Sequence, residues 1–375
     1  MDFSYSTEQT LLKDSVERFL RDAYAFETRR KLVASDEGFS RDNWALFAEL
    51  GWLGMALPEE FGGSDGSAVE TMIIMEVIGR GLMLEPYLAS VVLGAGLVSR
   101  EASPAQRREI LPALIQGELL LAFAYAEPQS RFALNDVEVS AARDGEGYLI
   151  RGRKSVVFHA AAADKVVVSA RTGGGARDAD GISLFIVENG CAGLARRDYR
   201  TVDGLRASDL EFDAVQVGAE ALIGTPDAAL PLIERAIDHG IAAVCAEAVG
   251  AMAVLLEATN EFLKTRRQFG RPIGDFQVLQ HRAVDMFMAA EQARSMALMA
   301  TLKLDEEEAA RKKALSAAKV QIGKAGRFVG QQAVQLHGGM GMTDELSVGH
   351  YFKRLTMIDT LFGNVDHHLE RFASL

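Results

Sequence analysis

The stretch Lys264–His281 reads KTRRQFGRPIGDFQVLQH and joins two long segments of helical apolar period. Arg266 and Arg267 carry forked donors suited to phosphate oxygens. Phe269 follows closely, and Gly270 lets the backbone turn away with no side chain in the path. Pro272 and Gly274 end the turn. Asp275 is expected to cap the next helix, ahead of the stripe that begins at Gln277, Leu279 and Ala283. Beyond it Leu279, Ala283, Met286, Ala290, Ala293 and Ala297 step by threes and fours, the buried seam of a helix bundle. On spacing alone, Lys264–His281 is either a plain inter-helix connection or a turn that holds an anionic, aromatic ligand.

Working outward, the helical period runs from Pro226 to the end, and the charged run DEEEAARKK (Asp305–Lys313) reads as a solvated turn and helix start. Upstream the pattern changes. LLLAFAYA, VEVSAA, GYLIRGRKSVVF, KVVVSAR, GISLFIVE and DLEFDAVQV are short apolar or alternating runs rich in β-branched and aromatic residues. Turn signals at Asp144-Gly145 and Gly173-Gly174-Gly175 separate some of them, which predicts antiparallel strands over 119–223. Before Glu118 the period is helical again. Ser6 and Gln9 make a capping box for a helix with Leu11, Leu12, Val16 and Leu20 on one face. Further helical patterns fall at Asp42–Leu50, Ala68–Gly79, Leu88–Ser99 and Pro104–Gly117. The fold class is therefore α+β: a helical domain at 1–118, a central antiparallel β-sandwich or barrel at 119–223 and a four-helix bundle at 224–375.

The 375 residues are ample for a large core. A net charge of -12 with no basic stripe argues against a nucleic-acid surface. Cys191 and Cys245 are isolated and fit neither a disulfide framework nor a metal spacing. The start MDFSYSTEQ lacks a basic and apolar leader, and runs such as Val91–Val98 are too short to span a bilayer. A cytoplasmic protein with no membrane partner is expected. His337, His367 and His368 come without accompanying carboxylates at ligand spacing and are read as hydrogen-bonded surface groups, with no metal assigned.

A second glycine-rich stretch, QLHGGMGMTDE (Gln335–Glu345), follows a helical run that starts near Arg311. With R-x-Q-F-G-x-P-I-x-x-F-Q and Q-x-H-G-G-x-G in this order, the chain resembles the acyl-CoA dehydrogenase family. GWLGMALPEEFGG (Gly51–Gly63), AYAEPQS (Ala124–Ser130) and GRKSVV (Gly152–Val157) extend the resemblance to the whole chain. It implies FAD as cofactor and an acyl-CoA as substrate, with the α-hydrogen leaving as a proton and the β-hydrogen as a hydride to flavin N5. Electron-transfer flavoprotein is the implied electron acceptor. A desolvated carboxylate base and hydrogen bonds to the thioester oxygen are then required. The flavin carries the redox chemistry, and the protein supplies the base and the geometry.

Two departures follow from the resemblance. In most members the base is a Glu in a Tyr-Glu-Gly-Thr-x-Gln motif; here Leu361-Phe362-Gly363-Asn364-Val365-Asp366 occupies it, and Phe362 stands at the base position. The alternative base position, on an earlier helix within AIDHGIAAVCAEAVG (Ala236–Gly250), is Gly240. Glu247, on about the same helical face but on the order of 10 Å along the axis, is the remaining base candidate. It is more simply an ion-pair partner; Asp238 and Asp359 are weaker candidates. The family also shares each flavin between subunits. The reaching half is intact here, in Arg266, Gln268, Phe269, Gln335, Gly338 and Gly339. The receiving half departs from the pattern: Val156 and Phe158 replace Trp-x-Thr, only Gln129, Ser130 and Arg131 follow Glu127-Pro128, and Asn364 and Asp366 stand for Thr-x-Gln. Tyr125 and Glu127 are expected to shape their loop. Ser130, Asn364 and Asp366 complete the set of cofactor-binding candidates.

This asymmetry is similar to that of the small, non-catalytic subunits of heterotetrameric acyl-CoA dehydrogenases acting on dicarboxyl-CoA or steroid side-chain CoA esters, such as the pimeloyl-CoA dehydrogenase small subunit. It implies a homologous catalytic sister in an α2β2 complex. A self-sufficient homotetramer using Glu247, and a flavin-free acyl-CoA-binding scaffold, are the alternatives.

Overall fold

The computed structural model describes residues 4–375; the first three residues of the MDFSYSTEQ start lie outside that range. In chain order the helices and strands are α1 (Thr7–Ala23), α2 (Phe26–Ala34), α3 (Arg41–Glu49), α4 (Ala68–Gly81), α5 (Gly96–Glu101), α6 (Pro104–Ile115), β1 (Leu121–Ala124), β2 (Ser140–Asp144), β3 (Gly147–Phe158), β4 (Lys165–Arg171), β5 (Ile182–Glu188), β6 (Leu194–Arg200), β7 (Arg206–Val217) and β8 (Leu222–Ile223). They continue as α7 (Leu230–Thr265), β9 (Arg267–Gln268), β10 (Arg271–Pro272), α8 (Gln277–Leu302), α9 (Glu308–His337), α10 (Ser347–Thr360) and α11 (Val365–Ser374). The order is the one anticipated from the sequence: helices at the N-terminal end, strands in the middle and helices again at the C-terminal end.

By its contacts the chain divides into two units that do not follow the sequence order. One comprises residues 1–31, 68–83 and 241–375; the other comprises 32–67 and 84–240. The first unit is helical. The capping box at Ser6 is formed, with Gln9 N–H donating to Ser6 Oγ at 3.2 Å and Ser6 N–H donating to Gln9 Oε1 at 3.0 Å. Within this unit α4 and α7 cross with their backbones in contact. A Cβ on Gly79 would lie 1.9 Å from the Glu247 carbonyl oxygen, and one on Gly250 1.8 Å from that of Glu76, so only glycine permits the crossing. Met286, Ala290, Ala293 and Ala297 of α8 are buried, as their spacing predicts. Leu279 and Ala283 are only half-buried and Gln277 is exposed, so the buried stripe starts at Met286 and not at the head of the helix. α7 is long and apolar enough to cross a membrane by composition, but 72% of its most apolar window is buried, which makes it a core helix. Asp275 does not cap α8. The N-cap position is Phe276, without a side-chain cap bond, because Ile273–Asp275 forms a short 3-10 turn that shifts the helix start by one residue.

In the second unit an eight-stranded sheet runs in the order β6-β7-β3-β2-β4-β5-β8, with β1 also paired to β4. Most pairs are antiparallel, but β1 and β2 both lie parallel to β4, so the sheet is mixed where the sequence predicts an antiparallel one. Its core contains Ile150, Val166, Val168, Phe185, Leu210 and Phe212. β6, LARRDYR, has no apolar alternation and was not anticipated. It is an edge strand, and its exposed charges oppose pairing with another sheet edge. The helical pattern at Leu88–Ser99 is in fact a π-helical segment, Tyr87–Ala95, that runs into α5.

Candidate functional site

The decisive sequence stretch forms a β-hairpin between α7 and α8. β9 and β10 pair through Gln268 and Arg271, leaving Phe269-Gly270 as a two-residue loop with φ of 53° and 81°. Two successive positive φ values are the signature of a tight hairpin turn and are unusual for phenylalanine. Phe269 is 90% exposed, and its ring meets that of Phe276 edge-on, 6.0 Å away. Arg266, Arg267 and Gln268 are exposed beside it. Arg267 is partly engaged, its Nη2 donating to Gly270 O at 3.3 Å.

The second motif lies at the same end of the helical unit. The Phe262 ring, near the C-terminus of α7, packs 4.5 Å from that of His337 at the C-terminus of α9. His337 is buried and bonds through Nδ1 to Ala333 O at 2.8 Å within α9, which orients the ring for its contact with Phe262. Beyond it Gly338 adopts φ 60°, ψ -141°, a conformation open essentially to glycine alone. Gly338 and Gly339 are exposed, and a Cβ on either would meet nothing within 4 Å. Gln335 is exposed on the last turn of α9. This end therefore combines guanidinium and amide donors, an unstacked aromatic ring and an uncovered glycine backbone. That donor set fits a dinucleotide, whose diphosphate needs forked donors and whose adenine needs a ring.

Asn364 and Asp366 do not join it. Asn364 is the N-cap of α11, its Oδ1 accepting from His367 N–H at 3.0 Å, and Asp366 is exposed in the first turn. The start of α11 packs on Gly323, fourteen residues before His337 on α9, or about 21 Å along that helix.

The α10–α11 turn, where the resemblance leads one to expect the base motif, is closed. Phe362 has φ 59° and is 9% exposed; Gly363 has φ 114°. A Cβ on Gly363 would lie 2.4 Å from His367 Cδ2 and 2.7 Å from His368 Nε2, so glycine is obligatory. His368 is fully buried, with Nε2 3.0 Å from Phe362 O and Nδ1 3.3 Å from Ser316 Oγ. Burial, then Lys319 nearby, pushes its pKa down to about 3, so the ring is neutral. Lys319, also fully buried, donates to Ile358 O at 2.7 Å, Asp359 O at 3.0 Å and Gly363 O at 2.8 Å. Burial pushes it down to about 8, against the pull of Cys245 and Asp359. Burial holds the Cys245 thiol up at about 12, so it is no nucleophile.

The carboxylates are committed. Glu247 is buried and held by Arg354 through two bonds, Nε–Oε1 at 2.6 Å and Nη2–Oε2 at 2.7 Å. A forked pair of this kind occupies both carboxylate oxygens with one buried guanidinium. Asp359 Oδ2 takes a 2.7 Å bond from Arg327, while Oδ1 is buried against Gly323 with no hydrogen-bond partner among the described residues. Gly240 and Asp238 are buried within α7.

In the β unit the Glu127–Pro128 loop is fixed by an internal ion pair. Lys154, fully buried, donates to Glu127 Oε1 at 2.7 Å, to Ser169 Oγ at 2.8 Å and to Tyr125 O at 3.3 Å. Burial pushes Lys154 down to about 8 in spite of Glu127. The Glu127 carboxylate also accepts from Glu138 N–H, Val139 N–H and Gln129 Nε2. Ser130 is spent on the same loop: its hydroxyl accepts from Glu127 N–H at 3.1 Å and donates to Glu127 O at 3.0 Å. Val156 sits on a bulge of β3 with φ 54° and is 44% exposed. Its N–H donates to Asp209 Oδ1, which also accepts from the Tyr199 hydroxyl. Val156 and Phe158 offer no side-chain donor. Cavities of about 540 and 420 Å³ open beside this bulge.

Sequence reasoning missed Lys319 and His368. The signal was present for the first, since Lys319 falls on the stripe of α9 defined by Leu315 and Ile322, where a surface lysine has no place. Among the described residues no three His, Cys, Asp or Glu side chains converge closely enough to hold a metal ion.

Three family models match: acyl-CoA dehydrogenase N-terminal domain over residues 6–118, middle domain over 122–215 and C-terminal domain over 230–374. A probable acyl-CoA dehydrogenase of Bacillus subtilis, YngJ, is 30% identical over 353 residues, covering 93% of this chain and 92% of its own. Among solved structures, the FAD complex of PigA superposes with a TM-score of 0.92 at 26% identity, covering 100% of this chain and 98% of that one. The ChsE4–ChsE5 complex from Mycobacterium tuberculosis does so with a TM-score of 0.90 at 26% identity, again covering 100% and 98%.

Proposed function

The chain belongs to the acyl-CoA dehydrogenase family, and from that premise we propose that it is a flavoprotein subunit acting in FAD-dependent α,β-dehydrogenation of an acyl-CoA to the trans-2-enoyl-CoA. Its part is that of the base-lacking subunit of an α2β2 complex, with a homologous sister chain supplying the glutamate. The observation that carries this reading is the contrast between two turns of one helical unit. The Arg266–Pro272 hairpin turns its donors and ring outward, while the Leu361–Asn364 turn carries a phenylalanine at the base position.

Arg266, Gln268 and Gln335 would hold the diphosphate, with the backbone of Gly338 and Gly339 allowing its close approach and Phe269 packing on the adenosine. These groups protrude from the chain that bears them, which suits completion of a site on a neighbouring subunit. FAD, when bound, supplies the two-electron acceptor. Within this chain the Glu127–Lys154 pair fixes the loop that borders the ring, and Val156, Phe158 and the self-bonded Ser130 leave that side poor in donors. The committed oxygens of Glu247 support a structural role for it. The likeness to the ChsE4–ChsE5 complex supports a two-chain assembly. Electron-transfer flavoprotein is the proposed electron acceptor, and the buried apolar α7 with two unpaired cysteines suits a cytoplasmic setting.

The test is to purify the chain alone and after co-expression with a homologous chain of the same organism that carries glutamate at the turn position. Flavin is then quantified per chain by absorbance, and the assembly weighed by light scattering. A mixed tetramer with flavin content that depends on Arg266 and Phe269 is expected. A homotetramer that holds one FAD per chain and turns over acyl-CoA unaided would contradict the reading, and a chain colourless in both preparations would make it a scaffold.

A further inference from the structure

The α10–α11 turn is held by groups other than the residue at its apex. The last turn of any helix leaves carbonyls without intrahelical partners, at the negative end of the helix dipole. Here a single buried ammonium meets that need: Lys319 donates to Ile358 O, Asp359 O and Gly363 O. It thereby ties the end of α10 to the residue just past the apex. His368 takes the carbonyl at the apex itself, Phe362 O. All of these contacts are to backbone atoms. The Phe362 side chain contributes to none of them, yet its backbone sits at φ 59°, a conformation unfavourable for a non-glycine residue that persists only where the surroundings impose it.

We propose that Lys319 is a positioning residue that sets the Leu361–Asn364 turn in a base-presenting geometry whatever side chain residue 362 carries, so that this subunit keeps a latent base platform. The proposal rests on the reading of 362 as the family's base position. Lys319 touches neither substrate nor flavin in this scheme and acts only through the turn.

A carboxylate introduced by Phe362→Glu would then stand on a prepared support. It would take the α-proton of an acyl-CoA, leaving the enolate thioester and a carboxylic acid. In heavy water the acid exchanges its proton and returns a deuteron to the α-carbon, with no net oxidation and no electron acceptor consumed. Exchange at the α-carbon thus reads the base separately from turnover.

The experiment uses the assembled complex with the sister chain's own glutamate changed to glutamine. It compares the otherwise unaltered complex with Phe362→Glu, Lys319→Met and the double variant. Butyryl-CoA and octanoyl-CoA are the probes. Deuterium incorporation at the α-carbon is followed by NMR, and backbone amide exchange of 358–368 by mass spectrometry. Phe362→Glu is expected to raise α-deuteration at least tenfold, and Lys319→Met to remove that gain while raising amide exchange at 358–368 at least tenfold and leaving the β unit unchanged. If Lys319→Met does not fold, Lys319→Gln, which keeps two of the three donors, is read in the same way. Unchanged amide exchange in the lysine variant, or α-deuteration that survives in the double variant, would overturn the proposal. A loosened turn together with an inert Phe362→Glu would instead overturn the reading of 362 as the base position, and the latent platform with it, while leaving Lys319 as a helix cap.

Discussion

Two Phe-Gly pairs in the helical unit adopt nearly the same backbone and meet opposite fates. Phe269-Gly270 has φ of 53° and 81°, Phe362-Gly363 has 59° and 114°, yet the first phenylalanine is 90% exposed and the second 9%. Around Gly363 there is no room: His367 and His368 would clash with any Cβ, and Lys319 and His368 bond the carbonyls on either side. Around Gly270 nothing stands within 4 Å of where a Cβ would be. Strain in the closed turn is offset by the protein itself. The open turn has no such internal support for its ring, which is the mark of a surface made to be covered by something else.

The largest test of this difference is a pair of identical substitutions. Gly363→Ala should cost about 4 kcal/mol in urea unfolding, combining left-handed strain with displacement of packed rings. Gly270→Ala should cost only about 1 kcal/mol, from strain alone. Equal costs would dissolve the contrast. Next, Glu247→Gln leaves the buried Arg354 guanidinium without its counter-charge and should destabilise by about 3 kcal/mol. A protein of unchanged stability whose turnover is lost would make Glu247 the base after all.

Smaller again is the acid response of the closed turn. His368 titrates near 3 in the fold and near 6.5 when unfolded, so the unfolded chain binds the extra proton first. Its contribution is complete above pH 6.5 and is lost as pH falls, by about 2 kcal/mol between pH 6.5 and 4.5. His368→Gln should flatten that part of the stability curve, measurable by urea titration at each pH. Smallest in stability is Phe269→Ala, expected within about 0.5 kcal/mol of the parent because so little of the ring is buried. Its flavin affinity in the assembled complex should nevertheless fall about tenfold, as read by FAD titration; unchanged affinity would remove the aromatic from the account.

The open turn was legible in the sequence and the closed one only in part, for a physical reason. A ligand-facing loop displays its chemistry in consecutive residues, so Arg266, Gln268, Phe269 and the later Gly338 and Gly339 could be read straight off the chain. The closed turn depends on Lys319, more than forty residues away on α9. Although the lysine stands out on an apolar stripe, nothing in the chain says which carbonyls it meets. His368 is near in sequence but carries no motif that marks its bond to Phe362 O. The same logic covers the rest of the fold. The capping box at Ser6 and the short apolar run of β4 are local and were foreseen, as was the apolar stripe of α8 from Met286 on. The parallel pairing of β1 and β2 with β4 arises from where distant strands meet, and the edge strand β6 is written in charges rather than in apolar alternation. Asn364 shows the converse: a motif position suggested a cofactor ligand, and the structure uses it as a helix cap.

The most direct measurement of the central claim is anaerobic addition of butyryl-, octanoyl-, isovaleryl- and glutaryl-CoA, with a steroid side-chain CoA ester if none of these reacts, to the flavin-loaded chain alone and to the mixed complex, following flavin absorbance. Bleaching confined to the mixed complex is the expected result. Bleaching of the chain alone would contradict the account, because it would require a working base in a subunit whose proposed base positions are held by Gly240 and Phe362.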